Sequence, residues 1–237
     1  LKSILSQPVS DINVRSVLLR YYQSQKQPVS KEGNAPYTIK KNIKTGNYEQ
    51  ICNFSNVTND YLAFYDCILS DMMDEMTHAE LSDSISHNFI TQMIPHHQGA
   101  IEMSRTILKY TTHIPLQNLA LQIITGQTKS ISDMRAILCQ CDAIHNCKED
   151  LRCYQTRTKK ILQTLFCQMK HACSTNCVNG NFIREMIPHH CGAVAMSENT
   201  LRYCICPELI PILDSIIQTQ KQEVQMMQCM LQRMGCR

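Results

Sequence analysis

The chain has 237 residues, a formal charge of +3 and 18 % charged residues, enough to bury a core and too weakly basic to point to nucleic acid. Only 7 Gly and 8 Pro punctuate it, which suits helices better than a turn-rich sheet protein, and no apolar run approaches the length of a membrane span. The unusual features are 14 Cys, 13 Met and 9 His, with no Trp.

In chain order, residues 1–60 contain turn formers and little periodicity and read as a loop-rich leader, with one short helix predicted at Ile12–Ser24. From there the sequence repeats itself. Phe89 falls on Phe182, an offset of 182 − 89 = 93, and the same offset carries Tyr61 onto Tyr154, Met76 onto Met169, His78 onto His171 and Gln127 onto Gln220 without a gap. Two duplicated units follow, 61–142 and 154–237, joined by a polar linker at 143–153. Each unit predicts three helices. The first helix carries apolar residues at Leu62, Tyr65, Leu69, Met72, Met73 and Met76, a helical spacing. The second is "FITQMIPHHQGAIEMSRTILKY" and the third "PLQNLALQIITGQTKSISDMRAIL", where Pro115 suits a first turn. Pro207 precedes the matching start in the second unit, and Pro211 falls within its first turns. Pro95 and Pro188 lie inside helical patterns, so each either starts its helix or interrupts the hydrogen-bond ladder beside a histidine pair.

With about 100° per residue and Met93 at zero, His96 lies near 300°, His97 near 40°, Ala100 near 340° and Met103 near 280°. Two imidazoles and two thioethers therefore share one face, and Met186, His189, His190, Ala193 and Met196 do the same in the second unit. On the third helix Gln127 and Met134 are seven apart and aligned, as are Gln220 and Met227. The first helices add Met76 and His78, with Met169 and His171. Methionine at helical spacing is ordinarily packing, and a lone buried histidine is ordinarily hydrogen-bonded. Two adjacent histidines repeated intact favour a metal site, because burying imidazoles without partners is costly. Thioether and imidazole together favour copper, as Cu(I). Structural zinc would call for Cys or His at fixed short spacing, and the cysteines do not repeat in register. A di-iron site needs paired interior carboxylates, yet Glu102 is matched by Ala195.

The cysteine count predicts disulfide staples and an extracytoplasmic setting, secreted, periplasmic or at the cell surface, with any export signal removed. Cys191, beside His190, is read as neither ligand nor nucleophile.

"MIPHHQGAIEMS" followed by "LALQIITGQTKSISDM" resembles the bacterial domain-of-unknown-function family 305, and both repeats match. The resemblance implies a ferritin-like helical bundle, export, and for some members copper binding and copper resistance. Carried onto this chain, it marks Met93, His96, His97, Met103, Gln127 and Met134, with Met186, His189, His190, Met196, Gln220 and Met227. Gln98 becomes Cys191, and Met72 and Met73 become Leu165 and Phe166, so the second unit is poorer in sulfur on its first helix.

The expectation is an all-α, ferritin-like fold of two three-helix units about a pseudo-twofold axis. Its function is non-catalytic copper-ion binding for sequestration or tolerance. The four histidines are principal ligands, the methionines complete the set, and Gln127 and Gln220 orient imidazoles. The expected partner is the metal ion, not nucleic acid, and homo-oligomerisation is compatible with the sequence. The rival readings are a ferritin-like metal-dependent oxidoreductase and a disulfide-stapled interaction module without metal.

Overall fold

The computed structural model describes residues 37–41, 48–52 and 54–235. The chain divides into two compact units, residues 1–67 and 68–237. In the first, β1 (Tyr37–Lys41) and β2 (Tyr48–Cys52) pair antiparallel, with Tyr37 opposite Cys52 and Lys41 opposite Tyr48. The leader is therefore not wholly loop: two short β-prone runs flank a Thr-Gly-Asn turn signal. The short helix predicted at 12–24 lies outside the described residues. Helix α1 (Asn56–Thr77) begins in this unit, where the Ser55 hydroxyl accepts from the Thr58 N–H at 3.2 Å, an N-cap that satisfies one of the otherwise orphaned donors.

The larger unit contains the end of α1 and five further α-helices: α2 (Ile85–Ile107), α3 (Ile114–Asp142), α4 (Lys148–Lys170), α5 (Val178–Thr200) and α6 (Ile210–Met234). A 3-10 turn, Pro207–Leu209, leads into α6. The fold is all-α, as the composition and periodicity predict. The boundaries of α2, shifted by 93, become 178 and 200, which are those of α5. The capping repeats as well. Asn88 accepts from the Ser82 N–H at 2.7 Å and donates to its carbonyl at 2.9 Å, and Asn181 treats Thr175 in the same way at 2.9 and 2.8 Å. Ser84 caps α2, and its hydroxyl also donates to the Cys141 carbonyl at 2.7 Å, fastening the start of α2 to the end of α3.

Both helices continue uninterrupted through their prolines. Pro95 and Pro188 therefore do not start helices, and each lacks the N–H that the carbonyl four residues earlier would receive. In the larger unit α2 packs on α3, α5 on α6, α4 on α5, and α2 against α5, so the two histidine helices meet at the centre. Close packing sets two small residues. A β-carbon at Gly192 would come within 2.8 Å of Leu165, and one at Gly99 within 2.8 Å of the Met72 sulfur. Phe89, Ile90, Met93 and Met103 on α2, and Phe182, Ile183, Met186 and Met196 on α5, are all buried. Burying each such side chain contributes about 1.5–3 kcal/mol.

The predicted network of cysteine staples is not seen among the described residues. Cys139, Cys141, Cys147, Cys153, Cys167, Cys173, Cys191, Cys204, Cys206 and Cys229 are thiols. Cys177 is disulfide-bonded. No helix among the described residues is long and apolar enough to cross a membrane.

Candidate metal centre

The α2–α5 crossing brings the four histidines together. His96, His97, His189 and His190 are each 0 % exposed, although each is one of an adjacent pair on its helix. His96 and His189, 93 residues apart, stack with ring centroids 3.7 Å apart and planes 37° from parallel. His97 flanks His96 at 6.1 Å, and His190 flanks His189 at 5.9 Å.

Their hydrogen bonds set much of the chemistry. His189 Nε2–H donates to the His96 carbonyl at 3.1 Å. A carbonyl can only accept, so Nε2 carries the proton and Nδ1 bears the lone pair. His190 Nε2 lies 2.8 Å from Glu223 Oε2, to which it donates. His97 Nε2 lies 3.1 Å from Ser130 Oγ, which can accept or donate. The Nδ1 atoms of His97, His189 and His190 are buried with no hydrogen-bond partner, and so are both ring nitrogens of His96. The Gln127 amide (both Nε2 and Oε1) and Gln220 Oε1 are likewise buried and unpartnered. Leaving such a group unsatisfied costs about 1–3 kcal/mol. This concentration of unused donors and acceptors separates the centre from an ordinary core.

Burial also keeps three of the rings, His96, His97 and His189, uncharged. Desolvation, followed by the proximity of the other histidines, holds His96 and His189 well below the usual histidine range. The same causes hold His97 down at about 3. His96, His97 and His189 are therefore neutral at physiological pH, as metal ligands must be.

The structure places the predicted residues as follows. Met93, Met103, Met134, Met186, Met196 and Met227 are buried, and so are Gln127 and Gln220. Met76 and Met169, on α1 and α4, are also buried. His78 and His171 are not brought to the centre: they sit at the exposed ends of their helices. His78 bonds the Asp74 carbonyl at 3.0 Å, and His171 the Cys167 carbonyl at 2.7 Å. At a helix end the unsatisfied last carbonyls attract an imidazole, and that local partner explains both positions. Cys191 is exposed, and partial burial raises its thiol pKa, so it is not an activated nucleophile.

Sequence reasoning missed Ser130 and Glu223. They are equivalent under the offset, 130 + 93 = 223, and each holds the outer histidine of its unit. The signal was available, because each stands three residues after its glutamine and four before its methionine on one helix face. A cavity of about 580 Å³ between α3 and α6 is lined by His97, Gln127, Ser130, Gln220 and Glu223. Among the described residues no three His, Cys, Asp or Glu side chains form a ready-made metal cluster.

A duplicated helical bundle with paired histidines at its centre and buried methionines on the same helices defines a class, and the family comparison identifies it. The model for "Domain of unknown function (DUF305)" matches residues 66–138 and 86–231, and the chain belongs to that family. No curated protein matches the chain. Among solved structures, the chain is similar to CopM in a silver-bound form, at 29 % identity over 62 % of this chain and 95 % of that one, with a TM-score of 0.47. It is also similar to CopM in the Cu(II)-bound form, at 29 % identity over 62 % and 96 %, with a TM-score of 0.47. A DUF305 fragment from Deinococcus radiodurans matches at 25 % identity over 63 % and 96 %, with a TM-score of 0.46. At TM-scores below 0.5 these likenesses decide neither fold nor ligand.

Proposed function

We propose that the protein binds a soft monovalent metal ion, Cu(I), at the α2–α5 crossing and sequesters it outside the cytoplasm. The observation that carries this reading is the set of buried, unpartnered nitrogens on four stacked and flanking histidines. Ligation would satisfy those nitrogens at once. His189 already has a tautomer that leaves Nδ1 free, His190 Nδ1 has no hydrogen-bond partner, and the low pKa values of His96, His97 and His189 reduce proton competition. Histidine, cysteine and carboxylate groups do not complete a cluster, so the proposed donor set is mixed. Thioethers from Met93, Met103, Met186 and Met196 on the same two helices supply the soft component, with Met134 and Met227 on α3 and α6. Gln127 and Gln220 orient ligands or complete the shell.

The arrangement we favour is a pseudo-twofold axis between His96 and His189, relating 61–142 to 154–237 across the linker 143–153, with 1–60 as leader. A histidine stacked on its own counterpart is what such an axis produces. The break in equivalence is chemical. Ser130 holds His97 through a neutral hydroxyl, whereas Glu223 holds His190 through a carboxylate that makes its Nδ1 the stronger donor.

The test is a competition titration of tag-free, reduced protein under anaerobic conditions with Cu(I) and with Zn(II). The expected result is tight Cu(I) retention with Zn(II) bound far more weakly. Failure to retain Cu(I), or equal affinity for the two ions, would overturn the assignment.

A further inference from the structure

Away from the histidine cluster, the last turns of α6 carry Met226, Cys229, Met230 and Met234. At about 100° per residue these fall near 0°, 300°, 40° and 80°, one continuous face. They line a cavity of about 600 Å³ whose wall includes His113, the residue that precedes α3. Met226 is 39 % exposed, so the cavity opens to solvent along this residue.

His113 is fixed by its backbone. Its N–H donates to Thr111 Oγ1 at 3.1 Å, and its carbonyl accepts from the N–H groups of Leu116 and Gln117 at 2.9 and 3.0 Å. Its ring makes no capping bond, and Nδ1 is shielded from solvent with no hydrogen-bond partner. The imidazole is thus positioned without being used. The bland alternative is a greasy surface dimple, since methionine often fills irregular gaps. A buried, unpartnered ring nitrogen in the wall and three sulfurs at regular helical spacing are more than a dimple requires.

The repeat adds a second observation. Residue 113 + 93 is Cys206, and 234 − 93 is Cys141. Those two cysteines are buried and meet, the Cys141 thiol being hydrogen-bonded to Cys206. The junction equivalent to His113 and Met234 is therefore also filled by a pair of soft donors. We propose that His113, Met226, Cys229, Met230 and Met234 form a second, accessory site for a soft monovalent cation, Cu(I) or Ag(I), at the end of α6. Arg233 also lines the cavity, and its charge opposes any cation. A singly charged ion suffers half the repulsion of a divalent one, while neutral thioethers still bind it through sulfur. The site shares no residue with the central cluster and stands or falls separately from it.

The test uses full-length, tag-free protein with isotope-labelled methionine methyl groups, titrated with Ag(I) under reducing conditions and read by NMR. Resonances are assigned by single Met→Leu changes, which conserve volume. The methyls of Met226, Met230 and Met234 are expected to shift together and to saturate. In His113→Asn with Cys229→Ser their midpoint should move at least tenfold to higher Ag(I), while the shifts of Met93 and Met186 are unchanged. If the three methyls stay unmoved through a several-fold excess of Ag(I), or shift identically in the double variant, the site does not exist as described.

Discussion

Replacing His96 and His97 by alanine abolishes Cu(I) binding at the centre completely rather than halving it. Two independent sites, one per repeat, would leave the second intact. The 3.7 Å stack of His96 on His189 makes separate sites untenable: the inner ring of one unit lies against the inner ring of the other, and the His189 ring proton is held by the His96 carbonyl. The reciprocal variant, His189→Ala with His190→Ala, is expected to give the same loss. Helical content should stay near that of the parent, because alanine is the best helix former and both positions lie mid-helix. Competition titration gives the stoichiometry and circular dichroism the helicity. A residual half-equivalent of unchanged affinity would mean that the units bind independently.

The second large effect is acid lability of the metal-free protein. His96, His97 and His189 have folded-state pKa values below the usual value near 6.5, so the unfolded chain binds more protons than the folded one once pH falls below about 6.5. Stability therefore rises with pH across this window, is fully present above about 6.5, and is lost as pH falls toward the folded value of about 3 for His97. For His97 alone, two pH units below 6.5 correspond to a loss on the order of 2–3 kcal/mol, a large share of a domain's net stability. Urea unfolding between about pH 7 and pH 4.5 measures it. Saturating Cu(I) should shift the acid transition to lower pH, because an ion that binds only the folded state adds stability and competes with protons. A midpoint in urea that does not change across this window would show that the rings are not held neutral.

Much of this was legible in the sequence because it is local. The 3.6-residue period placed the helices, the 93-residue offset matched the bounds of α2 to those of α5, and the wheel arithmetic put His96, His97, Met93 and Met103 on one buried face. What the sequence could not supply was the relation between elements. The His96–His189 stack depends on how α2 crosses α5, and no periodicity within either helix encodes that crossing. Ser130 and Glu223 went unnoticed because seven-residue alignment drew attention to Gln127 and Met134, while the histidine partner sits between them. His78 and His171 showed the opposite failing: they repeat in register, but repetition alone does not bury a side chain, and both hold a helix-end carbonyl at the surface. The strands at 37–41 and 48–52 were too short and too weakly alternating to stand out from a turn-rich leader.

The most direct measurement of the central claim is copper K-edge X-ray absorption on tag-free protein loaded with less than one equivalent of Cu(I), so that the tightest site alone is filled. The predicted spectrum is that of Cu(I) with both imidazole nitrogen, identified by its outer-ring scattering, and sulfur in the first coordination sphere. The imidazole signal should vanish in the His96→Ala, His97→Ala variant. A sulfur-only spectrum, identical in the parent and that variant, would contradict the account.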